Sequence, residues 1–311
     1  MPRFEDFDAL REALGDWQLE ATQLDRGPFS GELHQYTSQS ALITEAKFGR
    51  MLHQRGESPG NLRTIAIPGD ANQRIQWRGR TVGGDELMIF PDDGELDAVS
   101  LGNFHVFTVS IAENDLHENA LELEGADWQD LLACRETLRG PSERIEQLRR
   151  LASACARSGP EQNPDLGMAH SECEAEIVKL LVGLAAAASN LSSRAQLRSR
   201  DLIIRRSLDY IEERIEERDE EPPSISGLCS HVGASRRTLE YAFRERFGAS
   251  PKAYILARRL EKVRSDLKLK NRQATITHLA NRWGFHHLSH FAVLYRRQFG
   301  ELPSDTRFRL T

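Results

Sequence analysis

Apolar positions in residues 31–111 come in short β-prone runs, and turn formers separate them. Residues 41–48, 62–67, 86–90 and 104–111 are rich in Val, Ile, Phe and Thr. Gly, Pro, Asn and Asp cluster at 56–61, 69–72, 83–85 and 91–94. Short strands at this spacing predict a small barrel or sandwich. Beyond residue 126 the pattern turns helical. Residues 127–156 read as helix with a break at Gly140-Pro141, where Pro141 suits a new first turn. Residues 157–167 read as loop, 171–189 as a second helical block, and 191–199 as a polar linker. Residues 200–218 form an amphipathic helix, with Ile204, Leu208, Ile211 and Ile215 at three- and four-residue steps. Pro222-Pro223 ends it. Its acidic residues Glu212, Glu213, Glu216, Glu217, Asp219, Glu220 and Glu221 are expected on a solvated face.

Residues 228–303 then carry one pattern twice. Leu228 matches Leu279 at an offset of 51, while Phe243 matches Tyr295, Phe247-Gly248 matches Phe299-Gly300, and Pro251 matches Pro303 at 52. One residue added in the second turn accounts for the difference. A repeat of this kind is one supersecondary unit used twice, and the unit reads as a helix-turn-helix. In the first copy Ser235 is a good N-cap for a helix from Arg236. Leu239, Ala242 and Phe243 share one face, and Arg237, Glu240, Tyr241 and Arg244 share the opposite one. That second set suits base edges in a major groove: Arg for guanine, Glu for a cytosine amino group. Arg236, to the side, suits phosphate. In the second copy Phe291, Leu294 and Tyr295 point inward. Ser289, Ala292 and Val293 are the base-facing candidates, and His287, Arg296 and Arg297 are placed on the backbone. Ala292 and Val293 offer only apolar contact to thymine methyls. The second unit is therefore expected to add affinity and shape readout more than base discrimination. Residues 251–267, with Ile255, Leu256, Leu260, Val263 and Leu267 on one stripe, predict a helical spacer of about 25 Å. Such a spacer could hold two reading helices close to one DNA turn apart, about 34 Å.

Charge sharpens this picture. The net charge of −6 hides 17 Lys/Arg against 6 Asp/Glu in residues 223–311, and 24 against 41 in the remainder. A basic module beside an acidic one fits polyanion binding confined to the C-terminal part. With 311 residues and 39 % hydrophobic content, two domains with real cores are expected. No long apolar run or signal-like N-terminus appears, so a cytoplasmic protein without membrane contact is expected. The four cysteines, Cys134, Cys155, Cys173 and Cys229, show no paired spacing and read as reduced, mostly buried thiols.

The C-terminal residues resemble the AraC/XylS family of bacterial transcription regulators. The resemblance rests on Ser235-Arg236-Arg237-Thr238-Leu239 with Phe243 and Phe247-Gly248, Ser250-Pro251 with Tyr254, and Arg259-Leu260. Ile276 with Leu279-Ala280, Trp283-Gly284-Phe285, Ser289-His290-Phe291, Phe299-Gly300 and Pro303 extend it. It covers about residues 200–309. Residues 283–288 and 299–304 are also similar to the ethanolamine-operon regulators. The resemblance implies a seven-helix C-terminal domain with two helix-turn-helix units. It also implies an N-terminal cupin-like β-barrel that binds a small effector, followed by dimerising helices. Residues 84–91 resemble segments of such barrels. The chain departs from the family at Ala292 and Val293, where members often carry a polar or basic residue.

The expected fold is thus two-domain α+β: a β-rich cupin-like sensor domain (1–125), a helical connecting segment (126–190), a linker (191–199) and an all-α DNA-binding domain (200–311). The expected function is sequence-specific transcriptional regulation, as an activator controlled by a small molecule. The expected partners are double-stranded DNA, RNA polymerase, a small-molecule effector and a second copy of the chain. No catalytic function, cofactor or metal is expected. His34, His53, His105 and His117 are dispersed and lack the clustered pattern of metal cupins. Cys134 lacks the Pro-Cys-His-Arg context of an alkyl acceptor, and no nucleophile-elbow motif occurs. His286 and His290 have zinc-compatible spacing without a completing ligand. A barrel that serves only dimerisation or protein contact is the other non-enzymatic reading. Trp77, Trp128, Phe48, Phe90 and Phe107 are candidates either for a ligand cavity or for plain core.

Overall fold

The computed structural model describes the chain except for residues 1–2, 16, 61, 92–93, 133–134, 158–165, 190–198, 217–222, 270–273 and 309–311. The expected linker and the end of the acidic run therefore lie almost wholly outside the described residues. Two compact units result. The first is Met1–Ala21, Ser30–Gly49 and Gln54–Arg194; the second is Thr22–Phe29, Arg50–His53 and Ala195–Thr311.

The strands are β1 (Arg3–Phe4), β2 (Gln18–Gln23), β3 (Gly31–Thr37), β4 (Ala41–Phe48), β5 (Leu52–Glu57) and β6 (Leu62–Pro68). They continue with β7 (Arg74–Trp77), β8 (Arg80–Gly83), β9 (Glu86–Ile89), β10 (Glu95–Ser100), β11 (Phe104–Ala112) and β12 (Thr137–Arg139). Helix α1 (Phe7–Leu14) lies between β1 and β2, and α2 (Glu113–Glu124), α3 (Trp128–Leu132), α4 (Ser142–Arg157) and α5 (Leu166–Ser189) complete the unit. One sheet has the order β1-β3-β4-β11-β6-β9-β12, and the other β2-β5-β10-β7-β8. The seven-stranded sheet is antiparallel throughout. Each sheet retains two edge strands, so the described strands form two open sheets and do not close into one barrel.

The period-two alternation explains both faces of the larger sheet. Ile43, Ile65, Ile67, Leu87, Ile89, Phe107, Val109 and Ile111 join one buried cluster with Leu116 of α2, Trp128 of α3, Ile145 and Leu148 of α4, and Leu181 and Val182 of α5. The alternate residues, among them Thr44, Ala46, Phe48, Ala66, Met88 and Phe104, face the second sheet across a cavity. Both faces are covered, so these strands read in the sequence as near-continuous apolar runs.

The continuous helix expected before Gly140 is corrected. Among the described residues there only Trp128–Leu132 is helical, and β12 pairs with β9 through Leu138↔Leu87. The Glu136 carbonyl accepts from the Ile89 N–H at 3.0 Å and from the Trp77 indole N–H at 3.1 Å. Sheet-edge hydrogen bonds thus outweigh the helix propensity of this stretch.

In the second unit the described helices are α6 (Ser199–Glu216), α7 (Ile225–Val232), α8 (Arg236–Phe247), α9 (Pro251–Lys268), α10 (Ile276–Arg282), α11 (Leu288–Phe299) and α12 (Pro303–Phe308). Side-chain oxygens cap four of them. Ser224 accepts from the Gly227 N–H, Ser235 from Thr238, Ser250 from Ala253 and Thr275 from His278. Helices α8 and α11 both stop at a left-handed glycine, Gly248 and Gly300, with φ of 63° and 80°. Glu212 departs from the expected solvated acidic face: it pairs with buried Arg258 at 2.6 Å and with Lys262 at 3.6 Å. A buried guanidinium on α9 needs a counter-charge, and α6 supplies it.

Candidate functional site

The two helix-turn-helix copies keep their offsets in three dimensions. Helix α7 starts 51 residues before α10, and α8 starts 52 before α11. Helices α8 and α11 each have 12 residues. Leu239, Ala242, Phe243 and Phe247 are buried on α8; Phe291, Tyr295 and Phe299 are buried on α11. These inward faces leave a defined outward one on each helix.

On α8, Arg236, Arg237, Tyr241 and Arg244 are exposed and Glu240 is half-buried. Tyr241 keeps 56 % of its surface accessible, unusual for a large ring. Arg236 Nε lies 3.1 Å from Glu240 Oε1, one turn away. One candidate base-facing acid therefore already has a cationic partner. On α11, Ser289, Val293, Arg296 and Arg297 are exposed and Ala292 is half-buried. His287 is exposed at the N-cap position and makes no side-chain cap hydrogen bond. His286 and His290 are exposed too, and among the described residues no group of three or more metal-ligating side chains forms.

A network not foreseen from the sequence holds the second turn. The Trp283 indole N–H donates to Asp266 Oδ2 at 2.7 Å, and Arg282 reaches the same oxygen at 3.5 Å. Arg259 donates from Nε to the Trp283 carbonyl at 2.8 Å, and its guanidinium lies 4.4 Å from the Phe285 ring centroid. Burial lowers Arg259 to about 10, so it remains a cation at neutral pH. Gly284 has φ +77°, and a Cβ there would meet Arg259 Nη2 at 2.5 Å. Spacer helix α9 thus fixes the entry angle of α11 through two polar side chains. The ordinary Arg-Leu and Asp-Leu context of these residues gave no periodic signal of that role.

The first unit has an apolar cavity of about 60 Å³ between its sheets, partly open to solvent. Trp77, Phe48 and Phe90 line it, whereas Trp128 and Phe107 belong to the helix-facing cluster. Two polar atoms on its lining residues, Trp17 Nε1 and Thr44 Oγ1, are buried and have no hydrogen-bond partner among the described residues. Trp17 and Thr44 are 6 % and 2 % exposed. Trp17, Leu19 and Leu96 also border an open cleft of about 720 Å³ whose walls include Arg11 and Arg55. Trp17 was missed in the sequence because it falls between a helix and a strand, outside either period.

A family model described as a helix-turn-helix domain matches residues 228–309. The regulatory protein HrpB of Ralstonia nicotianae is 38 % identical over 106 residues, which are 34 % of this chain and 22 % of that protein. A XylDLEGF operon transcriptional activator of Pseudomonas putida is 39 % identical over 101 residues, 32 % of each chain. This chain thus covers from a fifth to a third of the length of these curated relatives. Among solved structures, a probable AraC family transcriptional regulator from Rhodopseudomonas palustris is 34 % identical over 35 % of this chain and 96 % of that one, with a TM-score of 0.32. The AraC-like transcriptional activator CuxR aligns over 90 % of this chain and all of that one at 17 % identity and a TM-score of 0.41. The matched residues 228–309 coincide with the doubled helix-turn-helix, and together with these relatives they identify that segment as a DNA-binding module of the AraC/XylS type.

Proposed function

We propose that the protein is a sequence-specific transcriptional activator that reads double-stranded DNA with α8 and α11 and recruits RNA polymerase. The observation that carries this reading is the pair of equal, exposed, glycine-terminated helices in one basic unit. Arg237, Glu240, Tyr241 and Arg244 would read bases from α8, with Ser289, Ala292 and Val293 as the weaker set on α11. Arg236, His287, Arg296 and Arg297 would hold phosphates. Helix α9 has 18 residues, about 27 Å at the rise of an α-helix. That length suits two successive major grooves on one side of the duplex. Activation is supported by the likeness to the operon activator of Pseudomonas putida.

The first unit would act as a sensor related to the cupin-like domains, with a small-molecule effector in the inter-sheet cavity. The two orphaned polar atoms on an apolar lining support this, because burying an unpaired donor or hydroxyl costs about 1–3 kcal/mol. A small, mostly apolar molecule with one hydrogen-bonding group would satisfy them. Its binding would shift the population of DNA-competent states, and a homodimer would bind paired sites.

Selection of genomic fragments by the purified full chain at near-physiological salt tests the reading. The expected result is a motif with two submotifs about one helical turn apart. Sequence-blind, salt-sensitive binding alone, with and without metabolite extract, would overturn specific regulation.

A further inference from the structure

The cysteines have no paired spacing in the sequence, but two of them meet in the fold. Cys155 lies in the last turn of α4 and Cys173 in the second turn of α5, and their sulfurs are 2.6 Å apart. Cys155 is buried and Cys173 half-buried. Cys173 Sγ also reaches the Leu151 carbonyl at 3.5 Å. Beside them Glu174 accepts from Ser38 and Ser40 at 3.2 and 3.3 Å.

We propose that Cys155 and Cys173 are a dithiol modification site, oxidised by hydrogen peroxide to a reversible disulfide that ties α4 to α5. Geometry separates this from two other uses of a thiol pair. A disulfide sets its sulfurs about 2.05 Å apart, so closure needs an approach of about half an ångström. Two zinc-bound thiolates, with Zn–S near 2.3 Å, stand about 3.8 Å apart and need two further ligands. Among the described residues no group of three or more ligating side chains forms. Inert core packing needs no second sulfur beside the first, and a hydrocarbon side chain would fill that space as well.

The accessible partner starts the reaction. A hydrogen bond from Cys155 pulls the Cys173 thiol below its ordinary value, while Cys155 is pushed up. The Cys173 thiolate attacks one peroxide oxygen; an S–O bond forms, the O–O bond breaks, and the leaving hydroxide takes a proton to become water. The Cys155 sulfur, giving up its proton, then attacks the sulfenic sulfur. The S–S bond forms, the S–O bond breaks, and a second water leaves. The two thiols together lose two electrons, and one hydrogen peroxide is reduced to two waters. In a thiol-reducing compartment the resting pair is the dithiol, and the bridge is transient.

The test uses the reduced full chain, treated with hydrogen peroxide and then labelled with a maleimide in denaturant. Two of the four thiols are expected to escape labelling. A non-reducing peptide map joins Cys155 to Cys173, and dithiothreitol restores both. Cys155→Ser and Cys173→Ser each abolish the bridge, whereas Cys134→Ser and Cys229→Ser keep it. Labelling of all four thiols, a bridge through Cys134 or Cys229, or oxidation to sulfinic acid without a bridge would each overturn the proposal. The peptide map of the unmutated chain decides even where a variant fails to fold.

Discussion

Arg236 and Glu240 pair one turn apart on α8, with 3.1 Å between Nε and Oε1. The pair is exposed, and pairs of this kind add about 0.3–0.5 kcal/mol. Its importance is for DNA: Arg236 engages Glu240 Oε1, so the pair positions the Glu240 carboxylate, and Arg236 gives up that contact when it turns to phosphate. Arg236→Ala is expected to leave thermal stability within about 0.5 kcal/mol. It should weaken binding to all sequences alike and lower the salt slope by about 1. Arg237→Ala is expected to cost about 1–3 kcal/mol on the cognate site and to relax one base position. Fluorescence anisotropy over a salt series separates the two. Equal loss on cognate and random DNA for Arg237→Ala would remove it from base reading.

The second helix makes a contrasting case. Val293 is 54 % exposed on α11 and offers only methyl groups. Val293→Ala is expected to change cognate affinity by less than about 1 kcal/mol, since one thymine-methyl contact is the most it can lose. Selection on randomised DNA with each variant compares it with Arg237→Ala. A Val293→Ala change in base preference as strong as that of Arg237→Ala would contradict the unequal division between the helices.

The repeat was readable because its anchors are chemically unambiguous. Ser235 and Gly248, for instance, are required by a helix start and a left-handed stop, so local geometry and sequence agree. Strands β4, β6, β9 and β11 were readable because both of their faces are buried. By contrast β5 (LHQRGE), β7 (RIQW) and β8 (RTVG) are short and polar, and pairing alone makes them strands. Helix α2 escaped because only Leu116 and Ala120 of its residues are buried, too few for a period. Long-range partners were invisible for the same reason. The meetings of Cys155 with Cys173, Asp266 with Trp283 and Glu212 with Arg258 follow from packing, and no local pattern encodes them.

The Asp266–Trp283 bond has a measurable role. Asp266→Ala leaves the half-buried Trp283 indole N–H and the Arg282 guanidinium without this acceptor, a cost of about 0.5–1.5 kcal/mol. Thermal unfolding should show that loss, and the submotif read by α11 should weaken more than the one read by α8. Gly284→Ala is expected to be as damaging, through its positive φ and its approach to Arg259. Unchanged melting for both variants would mean that α9 does not hold the second turn.

Glu45 connects acid stability to a single carboxylate. Its side chain is fully buried; Arg157 donates to both oxygens at 2.6 Å, and His105 Nε2 and Lys47 lie 2.9 and 3.4 Å away. Burial pushes its pKa up. The hydrogen bonds of Arg157 and His105 and the charges of Arg157 and Lys47 outweigh that and hold it well below 4.5. A depressed native value stabilises the fold above the unfolded one, and the contribution fades as pH falls below about 4.5. Arg157→Met should therefore cost about 1–3 kcal/mol at neutral pH, the lower end reflecting the half-exposed guanidinium. The gap to the unmutated chain should shrink in acid. A gap that widened below pH 4 would reverse the sign of this linkage.

The cavity gives the sharpest opposition between stability and binding. Thr44 Oγ1 is buried without a partner among the described residues, so Thr44→Val removes an unsatisfied hydroxyl at nearly constant volume. The ligand-free variant is expected to melt at the same temperature or higher, by up to about 1 kcal/mol. Trp17→Phe likewise removes an orphaned N–H, at the cost of some packed surface. Both variants should respond about tenfold less to an effector that uses those atoms, a loss of about 1.4 kcal/mol. Ala46→Phe, which fills the cavity, should abolish the response while DNA binding by the second unit persists. Thermal shift over a metabolite panel, repeated on the three variants, measures all of this. If Thr44→Val destabilised the ligand-free protein by more than about 1 kcal/mol, the hydroxyl would have a native partner such as a buried water. The argument for a ligand from its isolation would then fail.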